Sequence, residues 1–320
     1  AEDQLTDKAT AQQQLRAWKP QFEYLCCFDV DGHLLDNMCA KQMIVFQPHF
    51  MDLFGLRPIE TFVRLHAEHH NLWGHDRGCD RHEAISFTLG SLQQDPELKK
   101  KVDAGFLKTL SDIKTSLDGY IAHVQKEGIA YGFDSLLAYA QQNADDAHVV
   151  RFAIWSKAVD LTFPFVTIPM PPFDRVRETL EYVSERADVL IVSKTPYIDI
   201  CNWLEHQELI RYVTAVGGKE QGGKDELICL AKGGAFDPQQ KSVTAEGDKY
   251  RAENVIMGGD GGGDLKAAKK NGAFFFPTPP GQEEDAWARA IEQVFGPFFD
   301  GRYAELESRW IEEFESAMLK

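Results

Sequence analysis

The sequence predicts an α/β protein built on a doubly wound parallel sheet, with an all-helical segment inserted into it. Three observations predict this. An apolar run near the start, "FEYLCCFDVDG", ends in acids and a glycine and reads as a buried strand running into a loop. The stretch from about residue 36 to 168 shows helical spacing with no strong strand run. Beyond it, strand-like and helix-like segments alternate, which predicts parallel strands joined by right-handed helical crossovers.

Residues 1–20 are polar and rich in Gln and Ala, and read as a short surface helix or an arm. In the first strand, Cys26 and Cys27 are consecutive and so point to opposite faces of the sheet. Within the insertion, "MIVFQPHFMDLFG", "ELKKKVDAGFLKTLSDIKTSL" and "FDSLLAYAQQ" carry the helical pattern. "LTFPFVTIPMPPF", with Pro164, Pro169, Pro171 and Pro172, reads as the return linker. Then "VRETLEYVSERA" is helical and "DVLIVS" a strand, "YIDICNWLEHQEL" helical and "RYVTAVGG" a strand. "KDELICLAKGG" is helical and "ENVIMGGD" a strand, "LKAAKKNG" helical and "AFFFP" a strand. The closing "YAELESRWIEEFESAML" has helical periodicity. The expected division is an α/β core from residues 1–35 and 169–320, and a helical cap from 36–168. A cap inserted after the first strand covers the carboxyl ends of the strands, where open α/β sheets bind ligands.

Composition narrows the function. The chain has 320 residues, 43% hydrophobic and 26% charged, an ordinary globular balance. The formal net charge of −16 argues against a nucleic-acid footprint but leaves room for a small anionic ligand in a locally cationic pocket. None of the six cysteines forms a C-x-x-C pair, and they read as reduced thiols of a cytoplasmic protein. No apolar stretch reads as membrane-spanning. Monomer and homodimer are both open.

Polar residues end three of the expected strands: Asp29 and Asp31 the first, Ser193 the second, Asp260 and Asp264 the fourth. Lys224 begins a helix after the third. These types suit phosphoryl transfer. A carboxylate can attack phosphorus, a hard cation such as magnesium takes carboxylate oxygens and neutralises the approach of like charges, and a hydroxyl and a lysine hold phosphoryl oxygens. Alternate residues of an extended segment share a side, so Asp29 and Asp31 can serve one site as nucleophile and proton donor. Glycines such as Gly32 let backbone amides approach a phosphate closely. "GGDGGG" lacks the G-x-G-x-x-G spacing of a dinucleotide loop.

"FDVDGHLLDN" resembles the first motif of the haloacid dehalogenase (HAD) superfamily. "LIVS" resembles its second, Lys224 its third and "GGDGGGDL" its fourth. Order and the insertion after the first motif match as well, the insertion resembling the cap of phosphoglycolate phosphatase-like members. The resemblance implies that Asp29 is nucleophile and Mg2+ ligand, and that Asp31 is general acid/base and binds Mg2+ through its carbonyl. It further implies that Ser193 and Lys224 bind the phosphoryl group, and that Asp260 and Asp264 hold Mg2+ or, for Asp264, orient Lys224. Lys219 competes for the lysine role. Asp31 favours phosphoryl over carbon–halogen chemistry. His33 stands where the family usually has Thr, and is expected to alter loop packing or cap contact. The implied activity is a phosphatase acting on a small phosphorylated metabolite; a phosphomutase, a phosphonate hydrolase and a binding protein without turnover are the alternatives.

In the cap, His66, His69 and His70 share a helical face, followed by His75, Cys79 and His82. They read as solvated or locally bonded histidines, with a metal site as the rival. Arg77 and Arg81 either meet the far end of an anionic substrate or pair with Asp76, Asp80 and Glu83 within the cap.

Overall fold

The computed structural model describes residues 8–237, 239–240 and 242–318; residues 1–7 of the expected N-terminal arm lie outside the described residues. The chain divides into two compact units, Ala1–Asn37 with Ile168–Lys320, and Met38–Thr167. Among the described residues no helix is long and apolar enough to cross a membrane.

The first unit is the doubly wound α/β sheet expected from the alternation. Its strands are β1 (Tyr24–Phe28), β2 (Ala187–Val192) and β3 (Ala215–Gly217), then, after a small antiparallel pair β4 (Phe236–Asp237) and β5 (Ser242–Val243), β6 (Val255–Gly259) and β7 (Phe274–Pro277). The main sheet runs in the order β3-β2-β1-β6-β7, all parallel, with Cys26 opposite Val189 on one side and Ile256 on the other. The alternation of strand side chains sorts two cores. Cys26, Phe28, Val189, Ile191 and Phe276 pack with Leu180, Trp203 and Trp287. Leu25, Cys27, Leu190, Met257 and Phe275 pack on the other face with Leu227, Ala268 and Phe314. Both cysteines are wholly buried, one in each layer. β2 also buries a charge, and the carboxylate of Asp188 accepts from the amides of Gln21 and Phe22 and from the Tyr250 hydroxyl. That clamp holds the chain as it enters β1.

His33 lies in the aromatic layer. Its ring sits 4.9 Å from Trp287, 5.5 Å from Phe276 and 5.9 Å from Phe28, and its Nδ1 is 2.9 Å from Thr278 Oγ1. Trp287 Nε1 donates to the His33 carbonyl at 2.7 Å. Burial, and secondarily the Lys224 ammonium, hold the imidazole well below its usual pKa, so it is neutral. The histidine thus packs the turn after β1 onto the core.

The second unit is helical. Its longest helices are Ala104–Glu127 and Ala147–Thr167, and the helix Arg81–Gln94 starts at a capping box formed by Asp80 and Glu83. Phe50, Leu89, Ile113, Leu117, Phe152 and Trp155 belong to one core. The proline-rich stretch is not a linker throughout: the helix Ala147–Thr167 runs through Pro164, and the chain turns out of the helix only from Ile168. Pro164 gives up the bond its N–H would make to the Asp160 carbonyl, and the helix closes three residues later at Thr167.

His82 is wholly buried among Tyr120, Tyr131 and Trp155, with Nδ1 2.6 Å from Asp80 Oδ1. Burial lowers its pKa, against the pull of Asp80. The unfolded chain then takes up this proton first. The His82 contribution is complete above about pH 6.5 and is lost as pH falls below it. The unfolding temperature of the helical unit is therefore expected to drop between pH 7 and 5, less so in His82→Gln. An unchanged slope in the variant, followed by circular dichroism, would remove His82 from the account.

Candidate active site

The acids and the lysine meet at the carboxyl edge of the sheet. Asp29 follows β1, and its own amide donates to the Gly258 carbonyl of β6 at 3.0 Å, which prolongs the strand pairing by one residue. Asp29 Oδ1 accepts from the Val30 amide at 2.7 Å, and Oδ2 is 2.6 Å from Lys224 Nζ. Lys224 opens the helix Lys224–Ala231 and also reaches Asp264 Oδ1 at 2.5 Å. Asp264, in the first turn of the helix Gly262–Lys270, uses its other oxygen to accept from the Gly261 amide at 3.1 Å. It therefore serves as both a helix-start group and a site group. Gly259 has to be a glycine, since a Cβ there would lie 2.3 Å from the Asp264 side chain.

One oxygen each from Asp29, Asp260 and Asp264 lies within 4.8 Å of the others, and all three residues are buried. Among the described residues it is the one group of His, Cys, Asp or Glu side chains so placed. Three buried carboxylates crowd the site, two of them paired to the Lys224 ammonium. Burial first, then Asp264 and Asp260, push Asp29 up to about 7 against the lowering effect of Lys224. Lys224 is raised because the two carboxylates outweigh its desolvation. Clustered, buried carboxylate oxygens are the ligands a hard divalent cation takes, so the residues fit such an ion.

Ser193 follows β2 and is buried; its Oγ accepts from the Thr195 amide at 3.2 Å. Asp31 is held at both oxygens, by the Thr195 hydroxyl at 2.6 Å and by the Asn37 carboxamide. Neither Thr195 nor Asn37 stands out in the motif pattern. The hydroxyl two residues after Ser193, and the amide ending "FDVDGHLLDN", were the signals available. Gly32 adopts φ 76° in the turn, and its amide donates to the Leu35 carbonyl. Lys224, and not Lys219, pairs with the acids; the Lys219 amide donates to the Thr195 carbonyl.

The cap residues are placed within the helical unit. Arg77 is buried and donates to the Leu72 carbonyl at 2.8 Å. Arg81 pairs with Asp160 at 2.8 Å and donates to Ser156, its guanidinium lying over Trp155. Asp80 pairs with His82, and His66 and His70 contact Asp95 and Asp76. The expected shared histidine face ends at Glu68, where the α-helix gives way to a wider turn at His69–Trp73.

Fold and centre together define an α/β protein with a buried acid–lysine centre whose clustered oxygens fit a metal ion. No family model and no curated protein matches the sequence. Solved structures similar to the chain include YfnB from Bacillus subtilis, described as a HAD-hydrolase and bound to magnesium. It is 13% identical at a TM-score of 0.43, over 80% of this chain and 88% of that one. A Bacteroides fragilis protein described as a haloacid dehalogenase-like hydrolase is 14% identical at 0.41, over 82% and 92%. A Clostridium difficile protein described as a phosphatase is 16% identical at 0.39, over 80% and 84%.

Proposed function

We propose that the protein is a magnesium-dependent phosphatase that hydrolyses a small phosphorylated metabolite through an aspartyl-phosphate on Asp29. The observation that carries the reading is the bridge of Lys224 between Asp29 and Asp264, with Asp260 completing the oxygen cluster. A structural ion pair needs one acid; here Lys224 bridges two, and a third buried acid stands with them.

An oxygen of Asp29 attacks phosphorus while the bond from phosphorus to the leaving oxygen breaks. Asp31 gives its proton to that oxygen. Lys224 and Ser193 hold phosphoryl oxygens as charge builds on them. A water then attacks the phosphorus of phospho-Asp29, its proton passes to Asp31, and inorganic phosphate leaves with Asp29 restored. Asp29, Asp260 and Asp264, with the Asp31 carbonyl, would hold magnesium, which when bound supplies charge neutralisation between carboxylates and phosphate. Specificity is assigned to the helical unit.

The test is phosphate release from a panel of phosphorylated metabolites. Activity is expected with magnesium and is expected to vanish with a chelator and return on adding the ion. Turnover indifferent to the chelator would refute the metal assignment. A phospho-Asp29 discharged by a sugar phosphate and not by water would make the protein a mutase.

A further inference from the structure

We infer that Thr195 is a positioning residue for the proton donor, a role separate from the phosphoryl contact of Ser193 two residues earlier. The inference rests on the phosphatase reading above and extends it. The Thr195 hydroxyl donates to Asp31 Oδ2 at 2.6 Å. Its own placement is fixed on three sides. The Thr195 amide donates to Ser193 Oγ at 3.2 Å, its carbonyl accepts from the Lys219 amide at 3.0 Å, and the next residue is Pro196, N-cap of the helix Tyr197–His206. Proline at that point removes backbone freedom, so the hydroxyl is held ready and is not collected from solvent at each turnover. Asn37 holds the other oxygen of Asp31 from the opposite side of the turn. Together the two contacts fix the carboxyl plane.

The Thr195 hydroxyl donates to a lone pair of Oδ2 and Asn37 Nδ2 donates to Oδ1, so neither contact takes up the acid's own proton, which is left to pass to the leaving oxygen. Thr195 touches neither Asp29 nor Lys224 in the contacts described above; it acts through Asp31.

The role predicts an effect that depends on the leaving group. Phenyl phosphate and p-nitrophenyl phosphate share shape, but phenolate leaves poorly without a proton and p-nitrophenolate leaves well. In single turnovers with enzyme in excess and magnesium present, Thr195→Val is expected to slow phenol release about tenfold more than p-nitrophenol release, a part of the effect a general acid supplies. Thr195→Ser is expected to recover the wild-type ratio. Ser193→Ala should slow both substrates alike. Equal losses on both substrates in Thr195→Val, or no loss, would overturn the positioning role and leave the phosphatase reading standing. A wild-type enzyme that releases neither alcohol, nor phosphate from any member of the metabolite panel, would overturn both.

Discussion

Asp29→Asn is expected to abolish phosphate release, by at least about 10³-fold, while the protein stays folded. The amide is nearly isosteric and can still accept from the Val30 amide, but it cannot attack phosphorus. Its effect on stability runs the other way. Burial pushes the Asp29 carboxyl up to about 7, so holding it ionised costs the metal-free protein free energy that a neutral amide does not. The unfolding temperature in chelator is therefore expected to be unchanged or higher than that of the wild type. Activity within tenfold of wild type would remove Asp29 as the nucleophile. Activity lost together with folding would leave the mutation uninformative about chemistry, and the thermal measurement on the same sample separates the two cases.

The second large effect is on Lys224→Met, which should weaken folding as well as catalysis. The lysine is the cation between Asp29 and Asp264, with its side chain about 10% exposed. Removing one member of a buried ionic cluster leaves the others uncompensated, a loss of about 3–5 kcal/mol. Urea unfolding of the metal-free variant is expected to show that loss. Magnesium should recover part of it, since the three carboxylate oxygens remain. Lys219→Met, whose amide but not side chain is tied to the site, is expected to leave both measurements near wild type. The reverse pattern would transfer the role to Lys219.

How much of this was legible in the sequence depended on the range over which each residue acts. The strands β1, β2, β6 and β7 were legible because buried parallel strands are continuous apolar runs. The centre was legible because each of its members ends or begins such an element. β3 was overread: "RYVTAVGG" contributes only Ala215–Gly217, the preceding Ile210–Tyr212 being a single tight turn. The β4–β5 pair is two residues on each side and leaves no periodicity to read. Pro164 suggested a linker because a proline usually ends a helix, yet here the packed helix carries it and continues to Thr167. Thr195 and Asn37 were missed for other reasons. Thr195 meets Asp31 only through the sheet order, and no local pattern reports a hydrogen bond across 164 positions, whereas Asn37 lies six residues from Asp31 and reaches it through the irregular turn after β1, which has no period to read.

The strand order has a consequence for synthesis. β1 is the central strand, yet its partners β2 and β6 begin only at Ala187 and Val255. A growing chain makes β1 first and then all of Met38–Thr167, whose contacts are local enough to form without anything downstream. At ribosomal rates of about 5–20 residues per second, β1 waits on the order of ten seconds for a neighbour. During that interval the apolar YLCCF segment has two open edges and two reduced thiols. The vulnerable moment in the life of this protein is thus translational, and a ribosome stalled between the helical unit and β2 would hold an unpaired strand ready to associate with another chain.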